Sequence, residues 1–165
     1  RVIADSGGAF VRSIVVNAGD RDGVRKGQAA VSGAGLAGRV TTAGHRSARI
    51  LLITDINSRV PILIESSRDR AILSGDNSGM PRLTFLPANA SIKAGDRVVT
   101  SGHGGVFPPG LQVGLIVPSS DGIMRVKPNV SFDQLEFVRL IDFASVSPVV
   151  PQGEPAVPPK KAASR

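Results

Sequence analysis

Apolar residues along this chain come in short runs, closed by Gly, Pro, Asp or Asn, and no stretch sustains helical spacing long enough for a helix of ordinary length. Where apolar and polar positions alternate, the period is two. Residues 10–16 are an example, with Phe10, Ile14 and Val16 on one face. This pattern predicts strands over 1–4, 10–16, 29–32, 36–42, 48–54, 59–65, 71–73, 82–86, 97–100, 112–117, 123–127 and 136–141. The run ARILLIT over 48–54 is apolar almost throughout and predicts a strand buried on both faces. Pro61 lacks an amide donor and predicts an edge or a bulge within 59–65. Gly33-Ala34-Gly35 predicts a hairpin turn, and Asp55-Ile56-Asn57-Ser58 a turn in which side-chain oxygens accept from nearby amides. Only Ser131-Phe132-Asp133-Gln134 has the form of a helix start, with room for about one turn.

The stretch GDRVVTSGHGGVFPPGLQVGLIV, residues 95–117, sets two short strands around a loop. That loop, 101–110, holds four glycines and the pair Pro108 and Pro109, so its shape is set by backbone restriction and freedom. Phe107 is its one large apolar side chain, suited to plug the end of a barrel core or to be offered to a partner. The same grammar occurs earlier: VRKGQAAV (24–31) resembles IKAGDRVV (92–99), and a glycine-bounded strand follows each. Many short strands in two loosely repeated sets predict an all-β fold of two small β-barrels packed together. The expected division is 1–75 for the first barrel and 76–143 for the second, with terminal strands able to cross between them. Residues 144–165, rich in Pro and Ala and without apolar periodicity, are expected to be a disordered tail.

Composition changes this picture in two places. The 165 residues include 20 Lys+Arg against 13 Asp+Glu, and the excess is uneven. Residues 1–75 carry 11 basic and 6 acidic side chains (net +5), whereas 76–143 carry 6 of each (net 0). A basic half admits a small-barrel nucleic-acid-binding module as an alternative. Such modules stack bases on aromatic rings, and here there are six Phe, unclustered, with no Trp or Tyr. The absence of Cys fits an exported protein, no apolar run approaches the ~20 residues that span a bilayer, and an initial Arg suggests a piece of a longer chain.

Candidate chemistry is sparse. Asp5-Ser6-Gly7-Gly8 matches the nucleophile motif of trypsin-like proteases, but His45, Asp55 and His103 all follow Ser6, the reverse of that family's order. Ser101 and His103 lie two apart on a loop with no third group to orient them. Two His and no Cys make no metal set, and Asp55-Ile56-Asn57 lacks the later ligands of a calcium loop. Gly33 to Gly38 is followed by a strand-like segment, so no helix N-terminus is available for phosphate. The expectation is no catalytic residue, no metal and no cofactor; a degenerate trypsin-like hydrolase is the weaker alternative.

Five ordered blocks, NAGDRDGVRKG (17–27), GLAGRV (35–40), LLITDINSRVP (51–61), GDRVVTSG (95–102) and GVFPPGLQVG (105–114), closely resemble the bacterial rod-shape-determining MreC family. The likeness runs from about Val2 to Ile141, and the DSGG variant points to its alphaproteobacterial branch. The resemblance implies a periplasmic portion of two small barrels without protease activity, preceded in the family by a membrane helix and a coiled coil. It also implies a non-enzymatic scaffold of the cell-elongation machinery. Such scaffolds self-associate, contact MreD and bind penicillin-binding protein 2, coupling cytoplasmic MreB filaments to peptidoglycan synthesis. The loop 104–110, with Phe107, Pro108 and Pro109, is the expected partner-binding segment, and sheet edges offer a second route by strand addition.

Overall fold

Ladder pairing selects, within each predicted run, the residues that become strand. The computed structural model describes residues 1–5 and 11–142. Its strands are β1 (Val2–Asp5), β2 (Ser13–Val16), β3 (Ala29–Val31), β4 (Leu36–Ala43), β5 (Ala48–Leu52) and β6 (Arg59–Ile64), then β7 (Arg70–Ser74), β8 (Arg82–Thr84), β9 (Arg97–Thr100), β10 (Gln112–Pro118), β11 (Met124–Pro128) and β12 (Arg139–Ile141). The helix-like segment is a single 3-10 turn, Phe132–Gln134. The tail from 144 and the motif serine Ser6 lie outside the described residues.

All pairings are antiparallel, in two sheets. One is a closed barrel in the order β10-β11-β8-β7-β6-β9; the other is a six-stranded sheet in the order β1-β2-β5-β4-β3-β12. The two small packed barrels expected from the sequence are present as this closed barrel and a curled half-barrel sheet whose edges stay open. Terminal strand β1 reaches the segment leading into β12 through a backbone bond, from Val2 N–H to the Glu136 carbonyl at 2.8 Å. The division at residue 75 also shifts. β6 and β7 fall in its first half but build the closed barrel, and β12 returns from beyond the barrel to pair with β3. Periodicity says that a segment is a strand and is silent on which sheet it joins.

The loose repeat in the sequence is a repeat in hydrogen bonding. Gly27 N–H donates to the Val40 carbonyl at 2.8 Å, and Gly95 N–H donates to Ile116 at 2.8 Å. Val40 and Ile116 return bonds to Gln28 and Asp96, at 2.8 and 2.9 Å. Both glycines hold positive φ, +96° and +87°, where a side chain would be strained. Each following hairpin carries a bulge, and each second strand has a glycine pressed on the third. A Cβ on Gly38 would lie 2.0 Å from the Leu51 carbonyl oxygen, and one on Gly114 2.1 Å from that of Lys127. Thus β3-β4-β5 and β9-β10-β11 are the same three-strand unit used twice.

The barrel interior is filled by Val60, Ile62, Ile64, Leu73, Val98, Val113, Ile116 and Val126, and Ala29, Val31 and Leu36 from the open sheet, with Ile53 just past β5, join that same core. A second cluster under the open sheet holds Ile14, Val16, Ala30, Val40, Ile50 and Leu52, with Leu135, Val138 and Leu140 packed against it. The strand buried on both faces is β3, where Ala29, Ala30 and Val31 are all buried, and not the predicted ARILLIT run. In β5 burial alternates, with Arg49 exposed between Ala48 and Ile50. Pro61 sits in a strand paired on both sides. Its carbonyl accepts from Ser101 N–H at 3.1 Å, just past the end of β9, so its missing donor falls where the ladder has stopped. The Asp55 turn ties the two sheets. Asp55 carboxylate oxygens accept from Arg12 N–H (2.6 Å) and Asn57 N–H (2.7 Å), while the Arg12 guanidinium reaches the Asn77 carbonyl (2.8 Å).

Candidate partner-binding surface

The loop between β9 and β10 is held from beneath. Thr100 hydroxyl donates to the Pro108 carbonyl at 2.5 Å and accepts from Leu111 N–H at 2.9 Å, fixing the C-terminal half of GVFPPG to one strand residue. Phe107, 2% exposed, is thereby driven into the barrel core, with Pro108 buried beside it. Phe107 is the plug; as the fold stands, its ring offers nothing to a partner. Pro109 is exposed, and Val106 is the loop's accessible apolar side chain at 42%.

The most accessible aromatic among the described residues is elsewhere. Phe85 follows β8 directly, is 84% exposed and holds φ +60°. For a bulky residue the left-handed region costs on the order of 1 kcal/mol or more, and here no burial of the ring offsets it. Leu86, next in line, packs on the barrel core. The backbone therefore turns after Thr84, sending Leu86 inward and Phe85 out. The sequence pattern reads 82–86 as one strand and misses this turn, because Phe85 in alternation with Leu83 looks like an ordinary strand residue. Its one available signal is Pro87, which restricts Leu86 and so sits close to a strand end. Phe137 (64%), Ile3 (57%) and Leu115 (40%) are further exposed apolar side chains, the first two next to the open edges of β12 and β1.

Among the described residues, those weighed for catalysis do not assemble. His103 backbone N–H donates to Ser101 Oγ at 3.1 Å, which is a turn contact and not an imidazole–hydroxyl pair. His45 Nδ1 lies 3.2 Å from Asp20 Oδ1 on the surface, remote in role from Asp55, whose carboxylate is consumed by backbone amides. No group of three or more potential metal ligands occurs among the described residues. One polar cluster is well built. Arg125 binds Asp76 at 2.7 Å and approaches Asp121 at 3.8 Å, and the Ser78 hydroxyl donates to Asp76 at 2.5 Å. Burial pushes the Asp76 carboxyl up, but the Ser78 hydrogen bond and the Arg125 guanidinium outweigh it and hold the group below its ordinary value. The cluster staples the β7–β8 loop to β11, so its role is structural.

Comparison with known proteins accounts for this arrangement. The family described as "Rod shape-determining protein MreC, barrel core" matches residues 2–142. The cell shape-determining protein MreC of Cereibacter sphaeroides, an alphaproteobacterium, is 43% identical over 166 residues, covering 98% of this chain and 55% of that protein. The chain spans about half the length of the curated relatives it matches. Among solved structures, MreC from Pseudomonas aeruginosa superposes with a TM-score of 0.78 at 29% identity, over 86% of this chain and 96% of that one. MreC from Helicobacter pylori, solved in complex with penicillin-binding protein 2, superposes with a TM-score of 0.66 over 84% of this chain and 92% of that one; its 18% identity speaks to the fold.

Proposed function

The chain belongs to the MreC family of rod shape-determining proteins, and on that premise we propose that it is a non-enzymatic periplasmic scaffold of the cell-elongation machinery. Full-length, it is anchored at the inner membrane by a segment outside this chain, and it maintains rod shape by self-association and by binding and regulating penicillin-binding protein 2. MreD is a further partner. The observation that carries the reading is Phe85, a large ring held in solvent by a strained backbone. A chain that keeps such a residue without burying it gains from the ring only when a second surface covers it. The solved Helicobacter pylori complex supports the choice of partner. Regulation needs no chemistry on this chain: a scaffold shifts a synthase between states by binding one of them more tightly.

The test is binding of this domain to the periplasmic part of penicillin-binding protein 2 from the same organism. Saturable binding is expected, with Phe85→Ala weakening it by about 2 kcal/mol, or about 30-fold in Kd, at an unchanged melting temperature. Equal affinity of the variant and the native chain would remove Phe85 from the interface. An absence of binding by the native chain would remove the partner.

A further inference from the structure

The outer wall of the barrel carries a cleft of about 510 Å³ between the β6–β7 turn and the Pro109-Gly110 end of the glycine-proline loop. Its floor is apolar. Ile62, Ile64 and Val98 point into the core, so Leu63 and Val99, alternating with them and paired across β6 and β9, lie on the outer side, Leu63 half-buried and Val99 covered to 6% exposure at the bottom of the cleft. Its rim is cationic. Arg70 is paired opposite Leu63, and Arg68 stands in the turn closed by the bonds from Arg68 N–H to the Ile64 carbonyl and from Ile64 N–H to the Asp69 carbonyl, both 2.8 Å. Arg68 holds φ +64°, where glycine would be relaxed, so a long cation occupies a position that costs the backbone. The cleft's one carboxylate, Glu65, is engaged by Arg97 at 4.0 Å. Neither Arg68 nor Arg70 has a side-chain partner among the described residues. Across the cleft, Ser101 Oγ accepts from His103 N–H and keeps its own O–H to donate.

Two unpartnered guanidiniums and a hydroxyl donor above an apolar floor match one ligand chemistry: a carboxylate carried on an extended peptide with neighbouring aliphatic side chains. We propose that this cleft is a binding site for an acidic peptide segment of a partner protein. The carboxylate lies between Arg68 and Arg70, and an aliphatic neighbour lies on Leu63 and Val99. The site is separate from Phe85, which does not line it, so it stands or falls independently of the proposed synthase contact.

The test uses three fluorescent hexapeptides and the whole 165-residue chain. The first alternates valine with glutamate and is amidated; the second replaces glutamate with glutamine and is amidated; the third is the glutamine peptide with a free C-terminal carboxylate. Binding of the first but not the second is expected, falling by about tenfold in Arg70→Ala and in Arg68→Gly, the loss of a charge-assisted contact. Arg46→Ala, the same change of charge on an exposed turn of the open sheet, is expected to leave it unchanged. Arg68→Gly also relieves the positive φ, so it stays folded and any loss belongs to the guanidinium. Binding of the third peptide alone, with the same dependence on Arg68 and Arg70, would support the site and assign it to a chain terminus. Indifference to both arginine variants, equal binding of the amidated glutamine peptide, or no binding by any of the three would overturn the proposal.

Discussion

Two phenylalanines show how burial divides residues of one type between stability and recognition. Phe107 is 2% exposed in the barrel core, so Phe107→Ala is expected to lower unfolding free energy by about 3–5 kcal/mol in urea titrations. A loss well below 1 kcal/mol would mean that the loop does not plug the barrel. Phe85 behaves oppositely. Phe85→Gly removes a ring that nothing covers and relieves φ +60°, so stability is expected to hold or to rise by about 1 kcal/mol. A clear drop would show that the ring packs in the free chain. Gly114→Ala would place a methyl 2.1 Å from a strand carbonyl, a clash relieved only by parting β10 from β11. Residue type alone marks neither phenylalanine: both lie within two residues of a proline, Pro87 or Pro108, and the difference lies in how the backbone turns beside the ring.

At the scale of elements, strand existence was legible and partnership was not. The period-two runs and their Gly and Pro boundaries locate all twelve strands, because a half-buried strand imposes that alternation whichever sheet it enters. The repeat of VRKG and IKAG was legible too, and its physical content is the paired glycines at positive φ that start β3 and β9. The strand buried on both faces was misread, since Ala29–Val31 is short and small where ARILLIT is long and apolar. β3 lies between the two cores, and close approach there selects alanine. The Asp76–Arg125 staple left no sequence signal, as its members are 49 residues apart. It makes a pH prediction. Asp76 has a native pKa below its ordinary 3.8, so the unfolded state binds the proton more readily. Its contribution is present above that ordinary value and is lost as pH falls through the native one. Asp76→Asn is expected to flatten that acid limb of stability, read as urea midpoints between about pH 2 and pH 6, by less than about 1 kcal/mol because the pair is partly solvated. An identical limb in the variant would remove Asp76 as its source.

At the scale of the whole molecule, chain order and spatial order part company twice: β6 leaves the first set of strands to seal the barrel, and β12 returns to pair with β3. The barrel core draws Ala29, Val31 and Leu36 from the open sheet and Ile53 from the turn after β5, so the two sheets share that core and are expected to unfold together. Separate transitions in denaturant would contradict that. The proposed scaffold role requires the outer surface to bind a synthase through the Phe85 face of the barrel. The direct measurement is amide hydrogen exchange of this chain with and without the periplasmic part of penicillin-binding protein 2. Added protection is expected across residues 82–87 and none on the outer strands of the open sheet. Protection confined to β1, β2 and β12, or unchanged exchange at a saturating concentration of the synthase, would contradict it.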